Sequence, residues 1–309
     1  MALNYAEVWS PDLLEIMEQE SLTSPFVTTA VKWLSAKTFH FTQMSTSGYK
    51  SHSRLGGWNK GTFAQTDVPF TLTHDRDISF LVDKIDVDET NETASIKNIS
   101  EVFHKTQQIP EMDAYFYSKV ATEAQKLDGY HSSTAISSYT KENVYGKLKA
   151  MLNAGKLRRY VAKGALIAYV SSTIMDLLEQ STDFTRKIEM TQIAEGGIGI
   201  ETRITDIDGV TLIEVIDDER FYDKFDFTDG FAPVANTSHK INVLIASPLT
   251  VKTVPKIASI YYFNPGQHTE GDGYLYQDRS LSDTFVFPNG KDNKIDSIYV
   301  DVDTETYTA

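Results

Sequence analysis

The chain has 309 residues, 41% of them hydrophobic and 23% charged, enough to bury a sizeable core in one large domain or two smaller ones. Its formal net charge of −14 argues against a nucleic-acid-reading surface, which needs clustered Lys and Arg; the local exception is Lys147, Lys149, Lys156, Arg158, Arg159 and Lys163. The absence of cysteine excludes disulfides, zinc thiolate centres and cysteine nucleophiles, and no apolar run reaches the roughly 18 residues of a membrane span.

The N-terminal stretch "MALNYAEVWSPDLLEIMEQES" is acidic and has no signal-peptide apolar region, which points to a protein made and kept in a cytoplasm. Ser10 suits a helix N-cap, Pro11 the first helical position and Asp12 the first turn, with Leu13, Leu14, Ile16 and Met17 along one side. Residues 1–37 show no closed core of their own and read as an arm that packs on something else. Phe39, Phe41 and Thr42 then start a strand. The alternation of Phe70, Leu72, His74, Arg76, Ile78, Phe80 and Val82 predicts a second strand. Between them "STSGYKSHSRLGGWNKG" has no periodicity, so the pair predicts an extended β-hairpin with a long polar tip.

Asp86, Asp88, Thr90 and Glu92 alternate somewhat like a calcium loop, but the sixth and twelfth places hold Asn91 and Lys97 where that loop needs Gly and Glu. A solvated bend between strand and helix is the expectation. "IPEMDAYFYSKVATEAQKLDG" predicts a helix about 27 Å long. Pro110 falls in its first turn, Glu111 and Asp113 at its positive end, and Gly129 at its C-cap. Met112, Phe116, Val120, Ala124 and Leu127 form its buried stripe. A second helix follows with Thr140 as N-cap and Val144, Leu148, Met151 and Leu152 inward. Residues 165–170 predict an apolar strand, and "SSTIMDLLEQS" a short helix capped by Ser171 or Ser172. Asp208-Gly209 between alternating runs is a hairpin signal. A buried strand ended by Pro248 and two aromatic strands joined through Pro288-Asn289-Gly290 complete a mixed α/β chain.

No chemistry assembles from these residues. The seven histidines, His40, His52, His74, His104, His131, His239 and His268, include no pair at helical metal spacing. "AEGGIGIE" lacks the P-loop Lys and the dinucleotide spacing, and there is no Gly-x-Ser-x-Gly. Asp217-Asp218-Glu219 reads as a hairpin exit. Catalytic, cofactor-binding and metal residues are therefore expected to be none. The hairpin tip stands apart. Tyr49, Lys50, His52, Arg54, Trp58 and Lys60 put basic and aromatic groups on an acidic protein, as a hook for another copy of the chain would.

The order of these parts resembles the major capsid proteins of tailed bacteriophages along nearly the whole chain. The stretches that carry it are "TLTHDRDISFLVDKIDVDETN", "IPEMDAYFYSKVA", "LIAYVSSTIMDLLEQSTDFTRKIE", "DGVTLIEVIDDERF" and "KINVLIASPLTVKTVPKI". The resemblance implies an α+β fold with an N-terminal arm (1–37), an extended hairpin loop (38–84) and a peripheral domain with a spine helix (85–159). An axial domain (160–240) and a β region returning to the peripheral domain (241–309) follow. It implies hexamers and pentamers in an icosahedral shell around double-stranded DNA bound without sequence reading, a portal protein, and location in the virion. The arm begins almost at once, which leads us to expect a separate scaffolding protein. Tyr49, Lys50, Arg54, Trp58 and Lys60 become assembly contacts. Some members join subunits by Lys–Asn bonds; Lys50 and Lys60 lie in the right loop, but no partner Asn or catalysing Glu is identified, so that activity is not carried over. An encapsulin-like nanocompartment shell shares the fold, and an acidic α/β hydrolase is the remote alternative.

Overall fold

The computed structural model describes residues 21–29, 38–52, 56, 58–85, 96–162, 164–181, 188–192, 201–289 and 294–308. The helix expected over residues 10–21, nearly all of it, lies outside these residues, as do Arg54, the acidic run from Asp86 to Glu92, and the glycines of "AEGGIGIE".

Strands β1 (Thr38–Thr46) and β2 (Phe63–Thr71) pair antiparallel from Thr38↔Thr71 to Thr46↔Phe63. This is the expected hairpin, about 30 Å long at the usual rise per residue. The second strand is not continuous, however. It breaks at Leu72-Thr73, and β3 (His74–Asp83) joins another sheet. The cause is a buried carboxylate. Thr73 turns both its N–H and its Oγ1 onto Asp283 Oδ2, at 2.9 and 2.8 Å, so its amide leaves the ladder. Within β3 the alternation holds, with His74, Arg76, Ile78, Phe80 and Val82 on the more covered face.

The helical path also starts earlier than Pro110 suggests. It runs through α1 (Ile96–Phe103), a π-helical turn (His104–Gln108) and α2 (Ile109–Gln125). Pro110 has no N–H for the preceding turn and crowds its carbonyl, and the widened π turn is how the helix accommodates it. Gly129, at φ 81°, serves a turn beyond the helix, which ends at Gln125. The single stripe is replaced by burial on nearly every side, Asp113 included, because α2 lies between two sheets. Two further helices follow, α3 (Val144–Leu152) and the single turn α4 (Arg158–Val161). Asn143 occupies the N-cap of α3, and Thr140 instead accepts from the Asn143 and Val144 amides.

The remaining strands are β4 (His131–Ser133), β5 (Ile167–Ser171), β6 (Ile188–Gln192), β7 (Glu201–Ile207), β8 (Val210–Val215), β9 (Phe225–Asp226), β10 (Ala232–Pro233), β11 (His239–Ala246), β12 (Val251–Phe263), β13 (Gly273–Val286) and β14 (Ile298–Thr306). Helix α5 (Ser172–Gln180) follows β5 directly. Asp208 and Gly209, both at positive φ, close the β7–β8 hairpin as their sequence predicts. Seven strands form one sheet in the order β4-β14-β11-β5-β8-β7-β6, with β4/β14 and β5/β8 parallel. The alternation of β5 divides its two cores. Ala168 and Val170 pack with Leu148, Leu152, Ile174 and Leu178 of the helices α3 and α5. Tyr169 packs on the other face with Phe116, Val120 and Ala124 of α2. The two aromatic tail strands go to different sheets: β14 enters the large one, while β13 lies between β12 and β3 in a three-stranded one. Pro255 in β12 sits on an edge strand beside a register shift, where a missing N–H does least harm.

Part of the expected arm belongs to the body of the chain. Phe26 is fully buried, 4.7 Å from the Phe116 ring and 6.2 Å from that of Tyr169, and Thr28 donates to the Thr253 carbonyl at 2.9 Å.

Candidate assembly surface

The hairpin is rooted in apolar contact and bare at its tip. At the root, Phe39 and Leu72 are each 2% exposed and pack with Val254, Leu281 and Phe287. Phe70 meets Phe285 and Phe287 edge-on at 5.3 and 5.0 Å. Asp283 ties this root to α2, since Tyr115 donates its hydroxyl to Asp283 Oδ1 at 2.8 Å. Burial first, and the Asp283 charge second, push the Tyr115 hydroxyl well above its ordinary pKa, so it remains a donor. Further along β3, Arg76 pairs with Glu111 of α2 at 2.6 Å and donates to the Gly230 carbonyl at 3.1 Å, and His74 lies 3.4 Å from the same Glu111. The hairpin therefore leaves the body from a braced base.

Beyond Thr46 and Phe63 its described residues are all exposed. Ser47 closes the tip, donating its N–H to the Thr62 carbonyl and accepting the Thr62 N–H on its Oγ. Asn59 donates to the Ser51 carbonyl at 2.9 Å, so the tip has internal structure. Tyr49 and Trp58 are essentially fully exposed, at 110% and 95%, and Lys50 and Lys60 are exposed beside them. The His52 and Trp58 rings lie 6.4 Å apart. Met44 and Phe63 add exposed apolar area on the strands below. Four of the five residues expected to act together thus share one tip, and the fifth, Arg54, falls between them in sequence.

Among the described residues no three His, Asp or Glu side chains converge to hold a metal ion, and no helix is long and apolar enough to cross a membrane. Most buried carboxylates are occupied in holding elements together. Asp301 accepts from Thr134, Tyr139 and Asn242 at 2.6–2.8 Å and from Ser132. Asp113 accepts from Ser21, Thr23 and Arg220 at 2.6, 2.7 and 3.1 Å. Asp217 exits β8, caps the following turn through the Glu219 N–H and pairs with Arg220 at 3.0 Å, a structural role as its sequence suggests. The basic cluster is largely paired too, with Lys149 and Arg158 both on Asp208 at 3.4 and 3.1 Å. Sequence reasoning missed Asp283 and Glu111 as the braces of the hairpin. The one available signal was an aspartate inside the alternating run "SLSDTFVF".

No protein-family model matches the chain, and no curated protein matches it. Solved structures do. A chain in the asymmetric unit of the bacteriophage PhiM1 mature capsid matches at TM-score 0.62 and 14% identity, over 93% of this chain and 88% of that one. A chain of the cyanophage P-SCSP1u capsid structure matches at 0.56 and 10% identity, over 91% and 86%. One from Mycobacterium phage Bobi matches at 0.54 and 11% identity, over 94% and 91%. The chain therefore has the phage capsid fold, α+β, and has it along almost its full length.

Proposed function

We propose that the chain is the major shell subunit of a tailed-phage head. Copies join in rings of six and five into an icosahedral shell around double-stranded DNA, and the chain is structural, without catalysis. One observation carries the reading: the match to a chain of a mature phage capsid spans 93% of this chain and 88% of that one. The bare hairpin supports it, because a braced arm ending in exposed Tyr49, Lys50, Trp58 and Lys60 needs a partner surface.

In this reading residues 1–37 form the arm, 38–84 the extended loop, 85–159 the peripheral domain with α2 as its spine, 160–240 the axial domain and 241–309 the returning β region. Tyr49, Lys50, Arg54, Trp58 and Lys60 contact the adjacent copy. The subunit is made in the host cytoplasm, assembles with a separate scaffolding protein and a portal protein, and ends in the virion. A net charge of −14 keeps its contact with packaged DNA unspecific. Co-expression with the scaffolding protein, followed by sedimentation, tests the reading. Fast-sedimenting closed particles are expected, and protein that stays monomeric under every assembly condition overturns it.

A further inference from the structure

Between the three-stranded sheet and the helical path lies a polar cleft of about 600 Å³ where close packing would be expected. Its floor explains it. On one face of β13 stand Asp278, Ser280 and Ser282, three small polar side chains opposite the π-helical turn. Asp278 is 6% exposed and its Oδ2 has no hydrogen-bond donor, the nearest cationic candidate being His104 Nδ1 at 4.0 Å. Donors around it are few: His104 Nδ1 faces Gln108 Oε1, and His104 Nε2 shares with the Asp278 carboxylate the single Tyr276 hydroxyl, which lies 2.9 Å from the ring nitrogen. Burial lowers the pKa of His104, which keeps the ring neutral and supplies no countercharge. At the mouth stands a second carboxylate, Asp229, which is exposed. Of the other lining carboxylates, Glu111 is paired with Arg76, Asp75 is paired with Arg279, and Asp77 is exposed.

We propose that this cleft is a binding site for a linear aliphatic di- or polyamine, one ammonium group donating to Asp278 and another lying near Asp229. A metal ion does not fit, since no three ligating side chains converge among the described residues. An alkylammonium chain does fit, because its charges are spaced along a flexible stem and each brings its own hydrogen-bond donors. The acidic whole protein raises the local concentration of such cations. The site lies in the single subunit and does not depend on shell formation.

Titration calorimetry of spermidine into the unassembled subunit at pH 8 tests this, with magnesium chloride at matched ionic strength as the control. Spermidine is expected to bind saturably where magnesium does not. Asp278→Asn is expected to weaken it about tenfold or more, the effect of losing one charge-assisted hydrogen bond, and Asp229→Asn by a smaller factor. Asp278→Asn removes a buried charge, so the variant folds, and circular dichroism confirms it before titration. No saturable heat, equal binding by the Asp278→Asn variant, or displacement of spermidine by magnesium at matched ionic strength overturns the proposal.

Discussion

Asp113 and Asp278 are both carboxylates inside a helix–sheet interface, and they have opposite effects on stability. Asp113, fully buried, accepts from two hydroxyls and Arg220, which is itself 9% exposed. Removing Arg220 leaves a charge buried without its ion, so Arg220→Ala is expected to cost about 3–5 kcal/mol in urea unfolding; a loss under 1 kcal/mol would mean the hydroxyls suffice. Asp278 has no such partner, and burial raises its pKa to about 6. The folded chain then holds this proton more tightly than the unfolded one. The stability it contributes is present below about pH 4 and is lost as pH rises through 6. Asp278→Asn is therefore expected to be more stable than the parent at pH 8, by about 1–3 kcal/mol, with the gap closing towards pH 4. Unfolding midpoints measured across that range check the sign, and an equal gap at pH 4 and pH 8 contradicts it.

Phe26 and the hairpin tip belong to elements with different partners. Phe26 fills a core of its own chain, and Phe26→Ala is expected to cost about 3–5 kcal/mol. Replacing Lys50, Arg54 and Lys60 by Glu is expected to change stability by within about 0.5 kcal/mol while particle yield falls. Normal assembly of that triple variant would show that the tip is not the hook. The hairpin was legible in the sequence because both strands alternate and a Gly- and Ser-rich stretch separates them. Its true end was not, because Thr73 turns on Asp283, 210 residues away. Asp113 looked like an ordinary first-turn acid for a similar reason, its partner Arg220 being 107 residues distant. Pro110 was visible as a helix signal, but a π turn that carries the helix through a proline has no local sequence mark. Local chemistry thus writes the elements, and long-range carboxylates decide where they bend.

For the whole molecule, a formal charge of −14 per copy sets the terms of association. Crowding copies into a shell raises their mutual repulsion, which salt screens over about 10 Å at 0.1 M. Salt also weakens the exposed ion pairs of the basic tip, each worth about 0–1 kcal/mol, while apolar contacts such as those open to Tyr49 and Trp58 persist. Assembly is expected to improve from very low to moderate salt and then level off or decline. Light scattering at fixed scaffold concentration follows this, and a steady fall from the lowest salt upward would rank the ion pairs above the net repulsion. The shell itself is tested most directly by electron cryomicroscopy of particles formed with the scaffolding protein. The map should show closed shells of six- and five-membered rings, with residues 47–62 of each copy lying against an adjacent one. Particles whose tips stand free in solvent, or no particles at all, would contradict it.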